Sequence, residues 1–111
     1  MTPEIKKSID KFLDDKIGDF KMLARRVGTI AAEDSTLSGY ELGRLTTAND
    51  AADAAMAVKA AIVQAGEDDL RLIRNLQGLM SAALRQKECS AVRVAVFNEV
   101  LSVLRGEAGL V

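Results

Sequence analysis

The first third of the chain carries an apolar stripe with the spacing of one long α-helix. Apolar side chains recur every three or four residues, which places them on one helix face. Thr2 is suited to cap this helix, and Pro3 is suited to its first turn. The pattern predicts a helix over residues 3–33, in which one polar residue interrupts the stripe. The stripe consists of Ile9, Leu13, Lys16, Phe20, Leu23, Val27 and Ile30.

The stretch 46–65 contains nine alanines, and alanine has the highest intrinsic helix propensity. The segment from Ser38 to Glu41 fits a capping box, so we predict a helix over residues 39–65. A separate helix capped by Thr47 is the alternative, and one continuous helix is favoured. Because alanine side chains are small, neighbouring helices can approach closely. We therefore expect the alanine-rich helix 46–65 to be central in the fold.

Two further helices are predicted after Gly66, which is placed to end the second helix in the left-handed conformation. The third helix is predicted over residues 68–87. Ser90 is suited to cap a fourth helix over residues 90–105. One bent helix through 69–105 is the alternative, because no glycine or proline lies near Ser90. The expected apolar face of the third helix consists of Leu70, Ile73, Leu76, Leu79, Met80, Ala83 and Leu84.

These elements predict an all-α fold, a compact antiparallel bundle of about four helices that forms a single domain, residues 1–111. Val92, Val94 and Val96 also alternate as in a β-strand, but a lone strand would have no partner in this chain. Apolar residues make up 49% of the sequence, and the alanine-rich helix is apolar on most sides. Such a helix must be covered on several faces, so we expect self-association or a groove for a partner helix.

The composition restricts the chemistry of the chain. Without histidine and with Cys89 as its one cysteine, it has no His-based catalytic site and no thiolate zinc site. It also lacks the glycine motifs that bind nucleotide phosphates. We therefore expect no enzymatic activity, no catalytic residue, no cofactor and no metal. The net charge of −1, from 15 basic and 16 acidic residues, gives no overall attraction to nucleic acid or to a membrane surface.

The sequence favours a cytoplasmic protein. A lone thiol suits a reducing compartment, and no run reaches the roughly 20 apolar residues of a membrane-spanning helix. We expect no membrane partner. Lys87 and Arg93 are near enough in sequence to activate the Cys89 thiol, but an ordinary small residue at a helix junction is the favoured interpretation.

Asn49, Asp50 and Asp53 lie on one side of the alanine-rich helix, because residues three and four apart are neighbours on a helix. We interpret them as a solvated face. The alternative is a metal site with oxygen ligands, which would need more carboxylates from another helix. The acidic run 67–69 is interpreted as charges at the start of the third helix.

Arg71, Arg74 and Arg85 lie on one line of the third helix, which spans about 21 Å at helical rise. Guanidinium groups bind carboxylates and phosphates through forked donors, so the line is a candidate site for a partner or an anion. A solvated face is the favoured interpretation of the line itself. Aromatic residues do not interleave with these arginines, which counts against base stacking. Lys21, Arg25 and Arg26 form a second basic cluster late in the first helix, where they can also simply complement the helix dipole. Arg25 and Arg26 are further candidate residues for binding a partner or an anion.

Together these features predict a non-enzymatic protein that binds a macromolecular partner, as an adaptor, an assembly component or a stoichiometric inhibitor. The expected partners are another protein and a second copy of the chain, in a homodimer or higher oligomer. The alternative is an anion-binding module for nucleic acid or a nucleotide that uses Arg71, Arg74 and Arg85. Nucleic acid is the less favoured partner.

Overall fold

The computed structural model describes residues 1–32 and 39–107, which form four α-helices. The predicted all-α bundle of four helices is confirmed. Each helix end lies within two residues of its predicted position, and Glu33, the predicted end of the first helix, is outside the described residues. The helices are α1 (Pro3–Ala32), α2 (Gly39–Ala65), α3 (Asp69–Arg85) and α4 (Ala91–Glu107).

Side-chain caps fix the starts of three helices. Thr2 Oγ1 accepts a hydrogen bond from the Ile5 N–H at 3.3 Å, as the sequence predicts. At the start of α3, Asp68 Oδ1 accepts from the Arg71 N–H at 3.0 Å. At the start of α4, Ser90 Oγ accepts from the Arg93 N–H at 3.3 Å, as the sequence predicts. Each cap provides an acceptor for a backbone N–H that has no partner within the helix. The predicted capping box of α2 begins at Ser38, outside the described residues.

The breaks between helices follow local backbone chemistry. Gly66 ends α2 with φ of 61°, the left-handed conformation that glycine adopts without steric cost. α2 is one continuous helix from Gly39 to Ala65. Within it, the Thr46 hydroxyl donates to the Leu42 carbonyl one turn earlier, at 3.0 Å. A separate helix starting at Thr47 is therefore wrong. The alternative of one bent helix through 69–105 is also wrong, because Gln86 is extended, with ψ of 142°.

Consecutive helices run antiparallel, and the alanine-rich helix is central as predicted. In the described part of the chain, α2 contacts each of the other three helices. Asp14 in the first half of α1 forms an ion pair with Lys59 in the second half of α2, as antiparallel packing requires. Small buried side chains let other helices pack on several sides of α2. These side chains are Ala51, Ala52, Ala54, Ala55, Ala61 and Ala65.

The core is mainly aliphatic, with Phe97 as a buried aromatic side chain, and it draws residues from all four helices. The expected apolar face of α3 is partly wrong, because Leu70 and Leu84 are exposed. The buried residues of α3 are Leu72, Ile73, Leu76 and Ala83. The buried face is therefore rotated about the helix axis relative to the expected one, and Leu70 and Leu84 lie outside it. The largest fully buried side chains are Leu13, Leu72, Leu76, Leu101, Val58 and Val100.

Candidate protein-interaction groove

The α1–α2 hairpin is longer than the α3–α4 hairpin that packs on it. α1 and α2 contain 30 and 27 residues, whereas α3 and α4 contain 17 each. At helical rise, the short helices are therefore about 15–20 Å shorter than the long ones. Arg93 near the start of α4 contacts Asp50 of α2, so the surplus length lies on the other side of Asp50. We call residues 16–32 and 39–48 the distal hairpin.

The apolar pattern of the core continues into the distal hairpin, but its side chains are less buried there. α1 buries Ile9 and Leu13, and the buried residues of α2 begin at Ala51. None of the side chains in 16–30 and 39–48 is buried. Among the residues that the structure describes, α2 provides the cover of the α1 stripe there, and the stripe side chains stay half-buried: Phe20, Leu23, Val27 and Ile30.

A groove of about 980 Å³ runs between α1 and α2 on the distal hairpin. Val92 of α4 lies at its inner end, where the bundle core begins. Met22 and Tyr40 line it with 70% and 73% of their surfaces exposed. Large apolar side chains that line an open groove are typical of interaction sites. The lining consists of Lys16, Asp19, Met22, Leu23, Arg26, Tyr40, Gly43, Arg44, Thr47, Ala48, Ala51 and Val92.

The α2 wall of the groove is built mainly from small residues. Gly43, Thr47 and Ala51 are spaced four residues apart, and Ala48 lies three residues before Ala51, so they share one helix face. Tyr40 and Arg44, in the first two turns of α2, also line the groove. Small side chains leave room for another helix to approach the backbone of α2. The α1 wall carries the larger apolar side chains. The α2 side is therefore low along its small residues, with Tyr40 and Arg44 toward its outer end, and the α1 side carries Met22 and Leu23.

A narrow cleft continues the groove toward the end of α1. It shares Leu23, Arg26 and Arg44 with the groove and adds Val27, Ile30 and the acidic Glu41. The apolar stripe of α1 thus lines a continuous depression along the distal hairpin, and arginines from both helices lie at the boundary between groove and cleft.

Three cations border the groove: Lys16, Arg26 and Arg44, which we call the rim cations. Lys16 Nζ lies 5.3 Å from the centroid of the Phe12 ring. The guanidinium carbon of Arg44 lies 5.8 Å from the centroid of the Tyr40 ring. Such cation–π contacts position a cation without neutralising it.

No carboxylate of the described residues forms an ion pair with a rim cation. Asp19 is the acidic residue in the lining, against three basic ones. The whole distal hairpin has the same bias. It carries five basic side chains and two acidic ones: Lys16, Lys21, Arg25, Arg26 and Arg44 against Asp19 and Glu41.

The structure places the predicted arginines in two separate regions. Arg71, Arg74 and Arg85 are exposed on α3, and none of them lines the groove. The Arg85 Nε–H donates to the carbonyl of Ser81 on its own helix, at 3.3 Å. Arg25 and Arg26 are exposed on the distal hairpin, and Arg26 lines the groove.

Sequence reasoning missed four residues of the groove, Lys16, Met22, Tyr40 and Arg44. Lys16 did give a signal, because it interrupts an otherwise apolar stripe. The other three lie on different helices or outside the stripe. Their proximity depends on how α1 and α2 pack, which a single-helix pattern does not show.

The interpretation of Asp50 and Asp53 as a purely solvated face is wrong. Arg93 Nη2 lies 3.3 Å from Asp50 Oδ1 and 3.1 Å from Asp53 Oδ2. The Ser90 hydroxyl donates to Asp50 Oδ2 at 2.9 Å. These carboxylates join α2 to the start of α4. Over residues 1–32 and 39–107, no cluster of three or more Asp, Glu or Cys side chains has the geometry to hold a metal ion.

Cys89 is exposed between α3 and α4. Among the helices that the structure describes, none has the combined length and hydropathy needed to cross a membrane. Comparison with protein-family models, curated proteins and solved structures finds no match.

Proposed function

We propose that this chain is a non-enzymatic protein-interaction protein, an adaptor, assembly component or stoichiometric inhibitor, and that its distal groove docks a helix of a partner. One observation carries the proposal: the apolar stripe of α1 continues past the point where α3 and α4 stop covering it. Nearer the chain start, the same stripe is enclosed by a four-helix bundle. A partner helix would supply the missing cover, as in other helix-in-groove complexes.

The dimensions of the distal hairpin support this proposal. The 17 residues from Lys16 to Ala32 extend about 25 Å, and two helices side by side are about 20 Å wide. A partner helix of four to five turns matches this length. The groove is open to solvent, so it offers a helix access that an enclosed small-molecule pocket would not.

A second copy of the chain is the second candidate for the partner. Two distal hairpins packed face to face would form an intermolecular four-helix bundle, in keeping with the apolar excess of the sequence. The charges of the distal hairpin disfavour this arrangement, because two faces of five basic and two acidic residues would meet. Like charges across an interface suppress association.

Anion binding at Arg71, Arg74 and Arg85 is the alternative function. All three are exposed on the same helix, which leaves them accessible to nucleic acid or a nucleotide. Phosphate binding weakens steeply with salt, so an affinity for oligonucleotides that persists in high salt would count against this alternative. We also propose a cytoplasmic location, because an exposed thiol such as Cys89 is kept reduced there.

The test compares Met22→Asp with Leu84→Asp. Both side chains are exposed apolar residues, but Leu84 lies on α3, away from the groove. We expect the unmodified chain and Leu84→Asp to retain the same partner protein, and Met22→Asp to lose it. The partner should also bind the unmodified chain when the two purified components are mixed. A partner equally retained by both variants would refute docking in the groove. Light scattering of the purified chain separates a second copy from a different protein.

A further inference from the structure

We propose that the helix docked in the distal groove belongs to another protein and is amphipathic, with acidic residues flanking its apolar face. This inference rests on the proposed function and adds the chemistry of the partner. It follows from the charges around the groove, and so it can fail while helix docking itself holds.

The rim cations form no ion pair with a carboxylate of the described residues, as is true of every basic side chain there except Lys59 and Arg93. What distinguishes them is that all three border an apolar groove. A partner helix would cover the apolar lining and remove water from these cations. Carboxylates on the partner would then replace the lost water contacts.

The positions of the rim cations indicate where those carboxylates lie. Lys16 and Arg26 are ten residues apart on α1, a separation of about 15 Å. Arg44 faces Arg26 from the other wall of the groove, since both line the groove and the cleft beyond it. A partner helix aligned with the groove therefore needs acidic residues about three turns apart. Asp19, about one turn from Lys16, favours a neutral or basic residue opposite it on the partner.

A protein helix fits these features better than nucleic acid does. A phosphate backbone would pair with the arginines but would leave Met22 and Leu23 without apolar contacts. Tyr40 is the aromatic side chain in the groove lining, whereas binding of single strands uses several stacking platforms. An amphipathic acidic helix satisfies both the apolar lining and the charged rim.

The experiment selects binders to the full chain from a displayed library of 18-residue helical peptides. Every peptide carries apolar residues at positions i, i+3, i+4 and i+7 and their repeats, and the flanking positions are randomised among Glu, Lys, Gln and Ser. We expect Glu to be enriched on the flanks. The best peptide is synthesised with its Glu residues intact and with each replaced by Lys. We expect the Glu peptide to bind at least about tenfold more tightly by fluorescence anisotropy, since each exposed pair adds a modest increment.

The charge-reversed variant Arg26→Glu with Arg44→Glu tests the contact directly. We expect it to weaken the Glu peptide about tenfold or more and to strengthen the Lys peptide. The matched control is Lys6→Glu with Lys7→Glu, which makes the same charge change at the start of α1. Because those sites lie away from the groove and long-range charge effects are screened by salt, we expect a change of about twofold or less at 0.15 M salt. All four sites are exposed, and circular dichroism verifies that both variants fold.

Each other result contradicts the inference. If the selected peptides show no preference for Glu but lose binding to Met22→Asp, the acidic partner is refuted and helix docking still holds. Recovery of no peptide that depends on Met22 refutes both. A stable dimer through this face identifies a second copy as the occupant. If no peptide binds but a 20-nucleotide single strand does, and if Arg26→Glu with Arg44→Glu abolishes that binding, the occupant is nucleic acid.

Discussion

Arg93 near the start of α4 is bonded to Asp50 of α2, with Nη2 lying 3.3 Å from Oδ1. The Ser90 hydroxyl donates to the other oxygen of Asp50, and Ser90 Oγ accepts a hydrogen bond from the Arg93 N–H at 3.3 Å. One carboxylate thus links the cap and the first turn of α4 to α2. This link fixes the place where the four-helix core ends and the distal groove begins.

We expect Asp50→Ala to lower the free energy of unfolding by about 1–2 kcal/mol, because a charge-assisted hydrogen-bond pair is lost in a partly buried site. Asp53→Ala is the matched control. Its side chain is 43% exposed, compared with 24% for Asp50, so we expect a loss below about 1 kcal/mol. Urea denaturation of both variants, with and without Arg93→Ala, measures the coupling. Equal losses for the two aspartates would show that the Ser90–Asp50 contact adds nothing.

Ala55 tests the central position of α2. Its side chain is completely enclosed, so Ala55→Leu should overpack the core and cost about 1–3 kcal/mol. Ala60 lies on the same helix and is exposed, and we expect Ala60→Leu to change the free energy of unfolding by less than about 0.5 kcal/mol. Thermal or urea unfolding gives both values. If Ala55→Leu were tolerated as well as Ala60→Leu, the packing around α2 would be wrong.

The sequence was informative about the fold because helix formation depends largely on local features. Thr2, Gly66 and Ser90 act at helix ends through hydrogen bonds or φ values set by near neighbours. The orientation of α3 about its own axis, by contrast, depends on packing against other helices. Leu70 and Leu72 have the same hydrophobicity, and the packing of α2 and α4 leaves one exposed and buries the other.

The candidate groove was only partly accessible to sequence reasoning. The apolar excess did predict a face in need of cover, and Arg26 was among the proposed contact residues. The location of the groove depends on the length difference between the two hairpins, together with the point where α4 meets Asp50. Neither Tyr40 nor Arg44 belongs to a pattern within α2, so their role follows from the packing of α1 against α2.

Two glycines should respond in opposite directions to the same substitution. Gly66 has φ of 61°, so Gly66→Ala forces an L side chain into the left-handed region and costs about 1–2 kcal/mol. Gly78 lies within α3, and a Cβ atom there meets no other atom within 4 Å. We expect Gly78→Ala to raise the free energy of unfolding by about 0.5–1 kcal/mol, because alanine loses less backbone entropy in a helix. Urea denaturation distinguishes the signs, and stabilisation by Gly66→Ala would contradict the turn geometry.

The two leucines of the α1 stripe should differ strongly in their contribution to stability. Leu13 is completely enclosed in the bundle, so Leu13→Ala should cost about 2–5 kcal/mol. Leu23 is half-buried, and Leu23→Ala should cost about 1 kcal/mol, in proportion to the smaller apolar area it buries.

Hydrogen exchange provides the corresponding local measurement in the unmodified chain. Few buried contacts hold the distal hairpin, so its helices should open locally at lower free energy than the core. We expect amides of residues 20–30 to exchange faster than those of residues 8–15, although both ranges lie within one helix. A docked partner helix should slow exchange at residues 20–30 and leave residues 8–15 almost unchanged. Uniform protection along α1 in the free chain would mean that the distal hairpin is already covered, and a partner that protects residues 8–15 instead would bind elsewhere.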